Sequence, residues 1–240
     1  DRLLKQFETH NLKGFGIDAM RSAIIASGAI LHYLDLTHHT MTGHIAVISR
    51  IEEDTYVRLD KFTVRNLELT ESLGEGGKSL LTVIDRTVSP MGARLLRRWL
   101  LFPLKDHVQI NRRLDVVEHF FRHPDERESL HMMLEQAGDL ERLIGKVAVG
   151  RINPREMYQL GCSLEIITPV KNLCLNTDND ALRAIGEQLH PCTTICRQIK
   201  TRIVENAPAG LNRGPVIRHG VDSELDELRD LAAQGTDYLK

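Results

Sequence analysis

The stretch from Leu80 to Leu104, LLTVIDRTVSPMGARLLRRWLLFPL, reads as a short apolar helix, a Ser-Pro break and a second helix carrying the chain's only tryptophan. Ser89 is placed to cap the free amides of the second helix. Pro90, with no N–H to lose and φ already near the helical value, suits its first position. Pro103 ends it. Between them Met91, Leu95, Trp99 and Phe102 recur at helical spacing as one wide apolar face, with Arg94, Arg97 and Arg98 around it. That pattern predicts a helix buried by its neighbours, with Trp99 anchoring the core.

Working outward, the order is helical almost throughout. Asp106 should cap a helix bearing Ile110, Leu114, Val117 and Phe121 on one face, and Asp139 another bearing Leu140, Leu143, Ile144 and Val147. Asn153-Pro154 starts a third, Pro169 marks a kink, and His190-Pro191 opens a segment through Ile195, Ile199 and Ile203. Ala207 to Gly220, rich in Gly and Pro, reads as loop. The last segment repeats Val221, Leu225, Leu228, Ala232, Gly235 and Leu239 at alternating intervals of four and three, a coiled-coil seam.

Toward the start, Met20, Ile24, Leu31 and Leu34 set one helix ending near Leu36, and the polar run Thr37 to Gly43 is the best linker. After it, Ile45–Ile51 and Thr55–Leu59 are β-branched and aromatic runs around Glu52-Glu-Asp54, predicting a small β hairpin. The fold class that follows is mainly α, multi-helical, with that one hairpin. The residues divide as 1–43, a terminal helix and linker, and 44–240, a helical domain ending in the start of a long helix.

Composition bounds the function. The 240 residues are 42% hydrophobic with a formal charge of −2, an ordinary balance that gives no electrostatic reason to expect strong nucleic-acid binding by this segment alone. No apolar run reaches the ~20 residues of a membrane helix and no signal-peptide layout opens the chain, so a cytoplasmic location is expected. Four cysteines, Cys162, Cys174, Cys192 and Cys196, are too sparse for a disulfide scaffold. An opening Asp1 and a helical pattern still running at Lys240 lead us to expect a piece of a longer protein.

Candidate chemistry is thin. Gly74-Glu-Gly-Gly-Lys-Ser79 ends like a phosphate-binding loop, but the required first glycine falls at Ser72 and no apolar strand leads in, so a hinge before a helix is the better reading. His190, Cys192 and Cys196 bring soft metal ligands together without a fourth or the tight spacing of a zinc knuckle, and His38-His39 is weaker still. Arg94, Arg97, Arg98, Arg112 and Arg113 form a possible phosphate patch, with Asp85, Asp106 and Asp115 as possible partners. Asn153-Pro-Arg-Glu156 could open a helix-turn-helix, but no basic recognition helix follows. No catalytic triad or paired carboxylates can be defended from spacing. Catalytic, cofactor and metal residues are therefore expected to be none.

Taken in order, Arg65-Asn-Leu-Glu-Leu-Thr70, Asp85–Arg94, Leu95–Leu100, Arg113–Glu118, Gly138-Asp-Leu-Glu-Arg142, Gly150-Arg-Ile-Asn-Pro-Arg155 and Gly220–Arg229 resemble the MutS family of DNA mismatch-recognition ATPases, in its core domain. The resemblance runs from about Phe15 to the end. It implies that residues 1–43 are the last helix of the connector domain plus a linker, and that the final helix is the start of a lever rising toward a DNA clamp. It also implies a mechanical role, linking an ATPase to clamp and mismatch-reading domains. The parent would bind mismatched double-stranded DNA as a homodimer, use ATP and Mg through a domain not encoded here, and engage a MutL-like partner. No Phe-x-Glu of the family's mismatch wedge occurs in the chain. The competing class is a helical adaptor unrelated to repair that pairs through the Val221–Leu239 seam.

Overall fold

The computed structural model describes residues 1–37, 42–49 and 55–238, except for the side chains of 212, 233 and 235–238. Its helices are α1 (Arg2–Gln6), α2 (Arg21–Leu36), α3 (Lys61–Asn66), α4 (Leu80–Ile84), α5 (Pro90–Leu101), α6 (His107–Arg122) and α7 (Pro124–Gln136). They continue as α8 (Leu140–Ala148), α9 (Pro154–Glu165), α10 (Ile167–Leu175), α11 (Asp180–Gln188), α12 (Thr193–Arg202) and α13 (Ser223–Tyr238). The mainly helical expectation holds. The hairpin does not form among the described residues: 45–49 carry no strand, and residues 50–54 lie outside the description. Instead Tyr56 makes an isolated antiparallel bridge to Leu104, beyond the Pro103 stop of α5.

Local chemistry starts the helices as the sequence dictates. The Ser89 hydroxyl accepts from the Gly92 amide with Pro90 at the first position of α5, and Ser79 does the same for Thr82 at α4. Asp106 accepts from Val108, and Asp139 from Arg142. At α9 the Asn153 side chain takes the Glu156 amide while the Glu156 carboxylate reaches back to the Asn153 amide, a reciprocal capping box. The helical run beyond α9 breaks at Ile166, placing Pro169 in the first turn of α10, where a missing N–H costs nothing.

One core joins α8, α9 and α12, built from Leu143, Leu160, Leu164 and Cys196, with Met157, Ile167 and Ile199 packed on it. Gly161 sets how closely α9 meets α12, since a Cβ there would lie 2.9 Å from the Ile199 Cγ2. Gly186 does the same between α11 and α10, where a Cβ would lie 2.9 Å from that of Cys174. The α10–α11 pair packs in turn on α6 and α7. At the amino end α1 lies on α2, clamped by Arg2, whose Nε donates to Asp35 at 2.6 Å and Nη2 at 3.0 Å.

Helix α5 departs from expectation. Its apolar face is only partly covered: Leu95 is exposed and Trp99 is 40% exposed. Trp99 is therefore not a core anchor. Its ring instead carries the Arg113 guanidinium 3.6 Å from its centroid, a cation–π contact that keeps both groups near water. The α6 face of Leu114, Val117 and Phe121 is likewise exposed. The whole chain presents 17550 Å² of surface, where a compact monomer of 27.2 kDa presents about 11,000 Å². Its helices are spread around a small core.

Candidate functional site: the root of the last helix

The seam helix α13 is joined to the core by a segment that composition predicted to be plain loop. Ala207–Gly220 is in fact pinned along its length. Ile203, at the end of α12, bridges Ile217 in antiparallel fashion, and the Val204 amide donates to the Val216 carbonyl at 2.9 Å. Arg218 closes the pair by donating its amide to Arg202 O at 2.7 Å and its Nε to Ile203 O at 2.9 Å. Ala207 has no exposed surface, and Arg155 at the start of α9 donates to its carbonyl at 3.3 Å.

From this tether a carboxylate fixes the helix. Asp226 lies in the first turn of α13 and is 8% exposed. One of its oxygens accepts from the Gly220 amide at 2.6 Å and lies 3.5 Å from the His219 Nδ1, while the other faces Arg229 Nη1 at 3.3 Å. Arg229 also donates to Ile217 O at 3.0 Å. Further along, Leu228 is 58% and Leu231 64% exposed. A helix fixed at one end can transmit a rotation of its root.

A second joint links α5 to α8. Arg94 donates through Nη1 and Nη2 to the two Asp139 oxygens at 2.9 and 2.7 Å, and through Nε to Glu141 at 3.0 Å. This pairing holds the Asp139 carboxyl below the usual carboxylate range. A third joint is the Asn153–Glu156 box, whose Glu156 pairs with Lys146 of α8 and is lowered mainly by that hydrogen bond.

The residues weighed from sequence fall apart as a site. In the glycine loop, Ser79 is buried and shares a hydrogen bond with Thr82 Oγ1, while the Leu80 and Leu81 amides donate to Glu68 O and Leu69 O at 2.9 Å each. The Gly77 amide donates to Gly74 O at 3.1 Å, so that part of the loop closes on itself. Cys196 is core, its Sγ 3.3 Å from Gly161 O, and burial pushes its thiol up. Cys192 faces His190 Nδ1 at 3.6 Å, and no group of three metal-ligating side chains occurs among the described residues. His38 and His39 lie outside those residues. The arginine patch divides: Arg94 belongs to Asp139 and Glu141, Arg113 to Trp99, and Arg97, Arg98 and Arg112 are exposed. The expected pairing with Asp85, Asp106 and Asp115 does not occur. Asp85 is taken by Thr87, and Asp106 by the α6 cap. Asn153-Pro-Arg-Glu156 is a capped joint at the start of α9.

Sequence reading missed one polar cluster. His119 Nε2 lies 2.8 Å from the Glu126 carboxylate, its ring stacks on His123 at 4.3 Å, and Thr177 Oγ1 lies 3.3 Å away. It ties α6, α7 and the turn before α11 together. The i, i+4 spacing of His119 and His123 was a visible signal, but Thr177 arrives only through the tertiary fold.

Residues 62–240 match the family model for MutS domain III. The chain belongs to the MutS family. It is 59% identical over 239 residues to the DNA mismatch repair protein MutS of Phocaeicola vulgatus and 59% identical to that of Bacteroides fragilis, in each case across the whole chain. The MutS of Porphyromonas gingivalis is 52% identical over 99% of the chain. The chain spans about 28% of the length of the first two. Three of the segments that carry the MutS resemblance lie at joints of the domain: Gly138–Arg142 holds the Asp139 cap and fork, Gly150–Arg155 the Asn153 half of the capping box, and Gly220–Arg229 the Asp226 bracket. No helix among the described residues is long and apolar enough to cross a membrane.

Proposed function

We propose that this MutS domain III segment is a mechanical link, carrying the nucleotide state of an ATPase domain to the DNA clamp and mismatch-reading parts of a mismatch-repair protein. The observation that carries the reading is the root of α13: the helix is bracketed to the end of α12 through Ile203, Ile217, Arg229 and Asp226, with Leu228 and Leu231 exposed further along. In this reading residues 1–43 are the end of a connector domain and α13 is the start of the lever. The segment performs no chemistry itself. The full-length protein binds mismatched double-stranded DNA as a homodimer, hydrolyses ATP with Mg in another domain, and engages a MutL-like partner.

The test is a break in the lever of the full-length protein. Leu231→Pro removes a helical hydrogen bond and clashes with the preceding turn, enough to kink α13 at an exposed position. Mismatched-DNA affinity is measured with and without ATP. The expected result is that the ATP-dependent change in affinity collapses while ATP binding persists. An intact ATP response with a broken helix overturns the reading.

A further inference from the structure

We infer that Asp226 is the positioning residue of the lever: its carboxylate sets the direction in which α13 leaves the core, and so determines how much of a movement at the root reaches the far end. This rests on the lever reading above. The start of α13 is already capped by Asp222, whose Oδ1 accepts from the Leu225 amide at 3.0 Å, so the helix does not need a second carboxylate for its own amides. Asp226 instead reaches back past the helix start to the Gly220 amide, at 2.6 Å, a charge-assisted bond at the short end of its class.

Gly220 has φ +85, a conformation that side-chain-bearing residues rarely adopt. The chain reverses there, and the Asp226 bond fixes the reversal against the helix axis. Arg229, one turn further along, takes the second carboxylate oxygen and donates its other nitrogen to Ile217 O. Both ends of the turn from 217 to 220 are thereby tied to the same face of α13. Ile217 is itself paired with Ile203, so the tether runs unbroken from α12 to the lever. The carboxylate is almost wholly shielded from solvent, where salt screens a charged hydrogen bond least. Without it α13 remains a capped helix, but one hanging on a glycine pivot.

The experiment uses the full-length protein and reads the ratio of mismatched-DNA affinities without and with ATP. Asp226→Ala is expected to shrink that ratio about tenfold, within the usual span of coupling between sites, while DNA affinity without nucleotide and ATP turnover without DNA stay within about twofold. Asp226→Asn keeps an oxygen for the Gly220 amide and should retain most of the ratio, a rescue that a mere loss of stability would not show. Asp226→Ala with an unchanged ratio, or Ala and Asn behaving alike, overturns the inference. Leu231→Pro, run beside them, separates the two readings. If it abolishes the ratio while Asp226→Ala does not, the positioning role fails and the lever stands; if neither has an effect, both fail. Should Asp226→Ala not fold, amide exchange in the unmodified protein decides: the Gly220 amide must be protected as strongly as the Leu228 amide inside α13, and free exchange there overturns the inference.

Discussion

Arg94 grips Asp139 with two nitrogens across 45 residues of sequence, and the same Asp139 caps α8 through the Arg142 amide. One carboxylate thus starts a helix and holds another element against it. Substitution separates the duties. Asp139→Asn keeps a good cap and loses the charged fork, whereas Asp139→Ala loses both and should cost about 1 kcal/mol more. Equal melting temperatures for the two variants would show that the cap contributes nothing.

The same pair gives a pH dependence with a definite sign. The Asp139 carboxyl is held low by Arg94, and that of Glu156 by Lys146. A depressed carboxylate contributes stability that is complete above its unfolded value, near 4, and is lost as pH falls through the lower folded value. Melting temperature should therefore be level from pH 7 down to about 5 and fall below about 4. The acid fall should be shallower in Arg94→Leu. An identical acid limb in that variant would remove Arg94 from the account.

Trp99 stacks on a cation at the surface, so its fluorescence should resemble that of a half-hydrated indole. Trp99→Ala should cost about 1 to 2 kcal/mol, the sum of a surface cation–π contact and partial apolar burial. Chemical denaturation measures it. A cost above about 3 kcal/mol would mean that the ring is truncated from a closed core.

Because the loop before Lys78 lacks the first glycine of a phosphate-binding loop and the Leu80, Leu81 and Thr82 amides are engaged by Glu68, Leu69 and Ser79, titration of the 240-residue chain with ATP and magnesium should give no saturable heat. A micromolar site that disappears in Lys78→Ala would overturn that expectation.

Leu228 and Leu231 leave an apolar stripe on α13 in water, and stripes of this kind drive association. Sedimentation of the 240-residue chain should show concentration-dependent self-association that Leu228→Glu reduces. Monomers at every concentration for both forms would show that the stripe is inert.

How much was legible follows from the range of each interaction. Ser89, Asp106, Asp139 and Asn153 were readable as caps because a cap and its amide lie within three residues. Apart from the hairpin around 45–59, which the described residues do not show, the failures were of long range. Arg94 found its partner in α8, where nearby Asp85 and Asp106 were the expected ones, because those two carboxylates were already held by local amides. The periodicity of α5 reported an apolar face correctly but could not report whether anything lies on it. Asp226 was read only as part of a resemblance, since its bond to Gly220 runs backward out of the helix.

The spread of helices around a small core has a calorimetric consequence. Heat capacity of unfolding and denaturant sensitivity both follow the apolar area newly exposed, and much of that area is already in water when this chain is folded. Its heat-capacity increment should fall well below the usual ~12–15 cal/mol/K per residue. The stability curve would then be flat across temperature, and the melting transition broad and low in enthalpy for a chain of 240 residues.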